Sequence, residues 1–269
     1  MMSDSIIFLG TAGDALSVGK QLRASGGIIL QLEGSQFVLD PGPGCLVQAK
    51  GAGINIRDTV AVMASHPATI RSSDLNAVID ALTVSGLDTM GVVIAPKSVI
   101  SGTDSEIPVL RKKYHSCVER VIELEPGRRI SVNNVNIITT TAKHKDTDAI
   151  GFIFETQKYR LGYTSDTEFT DETAEQYKNC DVLILNVKNP GSAREEGHMS
   201  VEDAVHFLRK AKPGKAVITH FGVKMLQSDI LAEARHLQRE TKVDVLAASD
   251  GLILVPSGMG VMSQARVAN

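Results

Sequence analysis

Four times along this chain a short apolar run ends in a histidine or an aspartate. Val60-Ala61-Val62-Met63-Ala64-Ser65 runs into His66, and Ile137-Ile138 with the threonines after it leads to His144. Tyr163-Thr164-Ser165 leads to Asp166, and Val217-Ile218-Thr219 to His220. Short apolar runs bounded by polar or turn residues read as buried strands. Polar groups at successive strand ends gather along one edge of a sheet, where sites on such folds sit. Three histidines and a carboxylate are ligands for zinc, iron or manganese. Taken singly, each has a plainer reading. A histidine at a strand end is usually hydrogen-bonded structure, and Asp166 could cap a helix that starts near Thr170.

The rest of the chain supplies more strands and the helices to cover them. Ile6-Ile7-Phe8-Leu9 is an apolar run stopped by Gly10. Glu33-Gly34-Ser35 reads as the turn of a hairpin. Asp40-Pro41-Gly42-Pro43-Gly44 breaks the chain sharply. The spacing of Leu75, Val78, Ile79 and Leu82 predicts a helix over 73–83. Further helices are expected near 44–51, 105–114, 170–178 and 227–240. Ser200, followed three residues on by Asp203, marks the start of another as a capping box. Hairpins come first and alternating strands and helices follow, which predicts an α/β chain of two sheets with helices outside. We expect one domain over 1–269, with the tail after about 256 mobile.

Composition narrows the functions. A net charge of −3 gives no chain-wide grip on nucleic acid. With no tryptophan and only 4% aromatic residues, a stacking platform for bases is not expected. Cys45, Cys117 and Cys180 show no CxxC spacing and read as reduced thiols. Neither a leader peptide nor a membrane span is legible. The expectation is a cytoplasmic protein with a small-molecule or phosphate-bearing partner, no nucleic acid and no membrane, and with a homodimer as the candidate assembly.

Six segments carry a resemblance: Phe8-Leu9-Gly10-Thr11-Ala12-Gly13, Val38-Leu39-Asp40-Pro41-Gly42-Pro43-Gly44, His144-Lys145-Asp146 through Phe152, Gly162-Tyr163-Thr164-Ser165-Asp166-Thr167, Gly197-His198-Met199-Ser200, and Thr219-His220-Phe221-Gly222. In that order they resemble the metallo-β-lactamase fold superfamily, in its ribonuclease Z-like and phosphodiesterase-like branch. The resemblance runs from Ile6 to about Val255. It implies a four-layer αββα sandwich of two mixed sheets and a metal-dependent hydrolase. It also implies metal ligands at His66, His144, Asp166 and His220, a bracing role for Asp40, and a proton donor at His198, acting with Asp166. The plain alternative for His198 is a surface loop residue.

One motif departs from that pattern. The family's Ser-His-x-His-x-Asp-His reads here as Ser65-His66-Pro67-Ala68-Thr69-Ile70-Arg71. Ala68, Ile70 and Arg71 stand where the second histidine, the aspartate and the third histidine belong. On that mapping the first metal position keeps His66, His144 and Asp166. The second keeps only Asp166 and His220, with the permanent cation Arg71 beside them. A two-metal centre is not expected. Two readings stay open: a hydrolase with at most one Zn²⁺, Mn²⁺ or Fe²⁺ ion, or a metal-free protein that binds an anion through Arg71 and serves as a binding or regulatory protein.

Overall fold

The computed structural model describes residues 4–104, 106–146, 148–256 and 260–264. Two mixed sheets form its centre. The first runs Gly260–Gln264, Leu252–Val255, Ser5–Phe8, Ile28–Leu32, Ser35–Leu39, Thr59–Met63, Val92–Ala95, Arg120–Glu123. The second runs Asp244–Ala247, Lys215–Thr219, Val182–Asn189, Arg160–Tyr163, Ile150–Glu155, Val135–Thr141, Arg129–Val132, with Met199–Ser200 paired beside Val182–Asn189. Strand alternation decides which layer each side chain joins. Ile6, Phe8, Leu30, Phe37 and Met63 face Phe152, Phe154, Tyr163, Ile184 and Val217 in the core between the sheets. Ile7, Leu9, Ile29, Val62 and Val93 turn outward onto the helix Leu75–Thr83. Leu183, Leu185, Ala216 and Ile218 turn outward onto the helices Val201–Ala211 and Ile230–Thr241. The architecture is therefore the expected αββα sandwich of two mixed sheets.

Local sequence explains most of the element ends. Glu33 and Gly34 both have positive φ, which closes the hairpin between Ile28–Leu32 and Ser35–Leu39. Ser200 caps Val201–Ala211, its side chain accepting from Asp203 N–H while Asp203 answers from its carboxylate. Three expectations change. The stretch 105–114 is not a helix where it is described. Pro108 cannot continue one, and only the short 3₁₀ turn Lys112–Ser116 forms. The helix expected over 227–240 is two, Val223–Gln227 and Ile230–Thr241, parted where Ser228 is extended and Asp229 starts the next as its N-cap. Of the tail expected to be mobile, Gly260–Gln264 pairs with Leu252–Val255, and 257–259 and 265–269 lie outside the described residues. Among the described residues no helix is long and apolar enough to cross a membrane.

Candidate metal centre

The four strand-end residues meet. His66 follows Thr59–Met63, His144 follows Val135–Thr141, Asp166 follows Arg160–Tyr163 and His220 follows Lys215–Thr219. The backbone there is unusual. Asp40, Ser165 and His220 all sit at φ between 52° and 65°, the left-handed region that non-glycine residues avoid. Such conformations persist only where surrounding contacts enforce them, and they cluster at functional sites. Two glycines supply the close approaches. A Cβ on Gly13 would lie 2.1 Å from the His220 carbonyl oxygen, and one on Gly42 would lie 2.1 Å from that of Ile70. Gly42 thus lets the Asp40–Gly44 turn seat the short helix Thr69–Ser72, which carries Arg71.

Arg71 points inward. It is buried, with Nη2 2.8 Å from Asp166 Oδ1 and Nε 3.3 Å from Asp166 Oδ2. This is the two-point fork that guanidinium makes with carboxylate. Burial works against the Arg71 charge, but Asp166, then Tyr163 and Asp40, outweigh it and raise its pKa. Burial likewise opposes the charge on Asp166, but Arg71 and then His220 hold that carboxyl well below its usual range.

Asp40 is hydrogen-bonded to the loop. Its carboxylate accepts from Ser65 N–H (2.7 Å), Ser65 Oγ–H (2.8 Å) and the Tyr163 hydroxyl. Because the Ser65 proton goes to Asp40, Ser65 Oγ is left to accept from His66 Nδ1 at 3.0 Å. The tautomer with its proton on Nδ1 presents a bare lone pair on Nε2.

That lone pair is informative. His66 Nε2 is buried, has no hydrogen-bond partner and lies 3.4 Å from Asp166 Oδ2. Two lone pairs facing each other in a buried site call for a cation between them. The spacing also suits one. Tetrahedral ligands with bonds near 2.0–2.1 Å stand about 3.4 Å apart. The ligand atoms of His66, His144 and Asp166 lie within 4.8 Å of one another, as do those of Asp166, His198 and His220. The two groups are not equivalent. Arg71 Nη2 and Asn186 Nδ2, both at 2.8 Å, use the two lone pairs of Asp166 Oδ1, which is the oxygen facing His220. Oδ2 keeps one lone pair toward His66. The residues therefore fit a single ion on the His66 side. His144 fits less completely, because its Nδ1 accepts the Asp146 N–H at 3.2 Å, which puts the ring proton on Nε2.

The other residues fall as follows. His198 is not a surface histidine. Its side chain is 14% exposed, edge-on to His144 at 5.5 Å and stacked on His220 at 6.0 Å. His220 reaches to 3.1 Å from Asp166 Oδ1, yet both its ring nitrogens lack an aligned hydrogen bond. Asn186 and Tyr163 join the site without having been singled out as site residues. Asn186 follows the apolar run Val182-Leu183-Ile184-Leu185 inside the strand Val182–Asn189, so the same sequence signal, a polar residue after an apolar run, could have found it. Two clefts flank the pair His144 and His198. One, of about 530 Å³, is lined by His66, Ala68, Thr69, Glu106, His144 and Asp146. The other, of about 350 Å³, is lined by Glu168, Phe169, Arg194 and His198 among others.

His144 and His220 add no positive charge to the site at neutral pH. Burial, then the Arg71 charge, pushes His220 down to about 3, and burial, then His66, pushes His144 down to about 4. Burial also lowers His198. The sign for stability follows. An unfolded imidazole titrates near 6.5, so between about 3 and 6.5 the unfolded chain binds the proton that folded His220 refuses. Stability therefore falls on acidification. Going from about pH 7 to about pH 4 should cost on the order of 3 kcal/mol through His220 alone. Urea melts of the wild type and of His220→Asn check this, since the variant should lose that part of the pH dependence.

Comparison with known proteins agrees with the fold. The sequence pattern of the family described as "Beta-lactamase superfamily domain" matches residues 35–221. The uncharacterized protein MJ1374 of Methanocaldococcus jannaschii is 31% identical over 253 residues, covering 93% of this chain and 94% of that protein. A ribonuclease Z of Bradyrhizobium sp. (strain ORS 278) is 23% identical over 301 residues, covering 88% and 96%. The crystal structure of the metallo-β-lactamase fold protein YhfI from Bacillus subtilis superposes with a TM-score of 0.79 at 17% identity, covering 94% and 99%. The chain belongs to the β-lactamase superfamily and has the metallo-β-lactamase fold.

Proposed function

We propose that this protein is a metal-dependent hydrolase of a phosphodiester or another ester, with at most one metal ion, held by His66, His144 and Asp166. One observation carries the reading. The Arg71 guanidinium is bonded to both oxygens of Asp166, while His66 Nε2 stays unpartnered 3.4 Å from Oδ2. Arg71 thus fills the charge role of a second ion and leaves one half-site able to bind. A divalent ion held there supplies Lewis-acid activation. Asp166 orients the centre from its Arg71 and Asn186 contacts. His198 lines the second cleft beside His144, and in this reading it gives a proton to the leaving oxygen as its bond breaks. Its lowered pKa puts the charged, proton-donating form on the acid side of neutrality.

Purified protein should retain about one equivalent of zinc, manganese or iron, and His66→Ala and Asp166→Ala should abolish both retention and diesterase activity. Elemental analysis that finds no metal after mild purification, with no activity restored by added zinc or manganese, would retire the hydrolase reading.

A second reading has its own support. The Asp146 N–H bond to His144 Nδ1 must be exchanged for a ring proton before Nε2 can ligate, and Arg71 already balances Asp166 without any ion. A metal-free protein that binds an anion beside Arg71 follows from those two facts. It predicts ligand binding that weakens on Arg71→Ala and is indifferent to chelators.

A further inference from the structure

We infer that the cleft on the His198 side is the subsite for the leaving group of the ester, and that it takes an aromatic ring held against Phe169 beside Arg194. The inference rests on the hydrolase reading, in which His198 serves the leaving oxygen. The leaving group must then lie on the side of His198, and the cleft of about 350 Å³ opens there. That volume falls at the small end of ligand pockets, roughly 300–1,000 Å³.

The lining decides the chemistry. All four of its carboxylates are already committed. Glu168 accepts from Gly197 N–H at 2.9 Å and pairs with Lys143 at 2.8 Å. Glu195 holds Lys188 at 2.6 Å and Asn189 at 3.1 Å. Glu196 pairs with Lys145 at 3.7 Å, and Asp203 accepts from Ser200 N–H and Oγ–H. None is left to recognise a cationic group. Among the described residues Arg194 makes no ion pair, and it is exposed at the cleft wall. Phe169 is half-buried and held in place, stacked on His206 at 5.7 Å with its plane 28° away, and edge-on to Phe207 at 6.4 Å. A fixed aromatic ring beside an uncommitted guanidinium is a place for a planar π-system.

Phenylphosphonate and methylphosphonate share one head group and differ by the ring. Titration calorimetry of the full chain should show phenylphosphonate binding about tenfold tighter. Phe169→Leu, which keeps apolar volume for the core, should erase that advantage and leave methylphosphonate unchanged. Arg194→Ala, an exposed change, should trim the advantage about threefold. Equal binding of the two phosphonates by the wild type overturns the ring subsite while the hydrolase reading stands. Binding of neither also overturns the ring subsite, and metal content with diesterase activity then decides the hydrolase reading separately. A phenyl advantage that survives both variants removes it from this cleft.

Discussion

Arg71→Ala is expected to destabilise the protein by about 3–5 kcal/mol, because it strips from a buried carboxylate the one fixed cation paired with it among the described residues. Asp166 is 1% exposed, and the other side chains beside it among the described residues are the Asn186 amide and the His66 and His220 rings. For a chain of this size the loss should lower the melting temperature by roughly 10 °C. The same variant should respond to metal more than the wild type does. With the guanidinium gone, a divalent ion becomes the only available counter-charge for Asp166. Added Zn²⁺ should therefore recover much of the lost stability in Arg71→Ala and shift the wild type less. Arg71→Lys keeps the charge but loses the fork, and should fall between the two. Calorimetric melts with and without zinc measure all of this. A variant that melts with the wild type would mean that the pair does not balance the site.

Asp40→Ala should be at least as damaging. It leaves the Ser65 N–H, the Ser65 hydroxyl and the Tyr163 hydroxyl buried without their acceptor. Each such orphan costs roughly 1–3 kcal/mol. Position 40 also has φ 52°, which aspartate and asparagine tolerate better than alanine. The effect should reach His66. Freed from Asp40, the Ser65 hydroxyl can donate to His66 Nδ1, which moves the ring proton to Nε2 and removes the lone pair that faces Asp166. Metal retention should fall with stability. Asp40→Asn keeps the backbone tolerance but only one acceptor oxygen, so it should recover part of the loss. Denaturant melts and elemental analysis of both variants give the comparison; an Asp40→Ala protein with unchanged midpoint and metal content would show the brace to be dispensable.

What could be read beforehand was what local chemistry dictates. The hairpin at Glu33-Gly34, the capping box at Ser200 and the polar residues closing apolar strands depend on neighbours a few positions away, and each appears where expected. The direction of Arg71 does not. The sequence shows a cation in the ligand loop, but whether it meets solvent or Asp166 depends on how the helix Thr69–Ser72 sits on the turn at Gly42. That contact joins residues 28 positions apart. The tautomer of His66 is equally hidden, since it depends on Tyr163, Asp40 and Ser65 sharing their protons across three strand ends. Asn186 was legible too, as the polar residue that follows an apolar run, but a neutral amide is a weaker signal of a site than a histidine. The misread helix near 105–114 had its warning in Pro108.

The Arg71–Asp166 pair also bears on when the molecule becomes complete. A site that relies on captured ions for its counter-charge is finished only after the cell delivers them. Here the balancing charge is encoded in the chain itself and arrives with translation, and no chelator can remove it. If the chain works as the proposed metal-dependent hydrolase, folding is thereby uncoupled from metal supply, and scarcity of metal would reach its chemistry before its architecture.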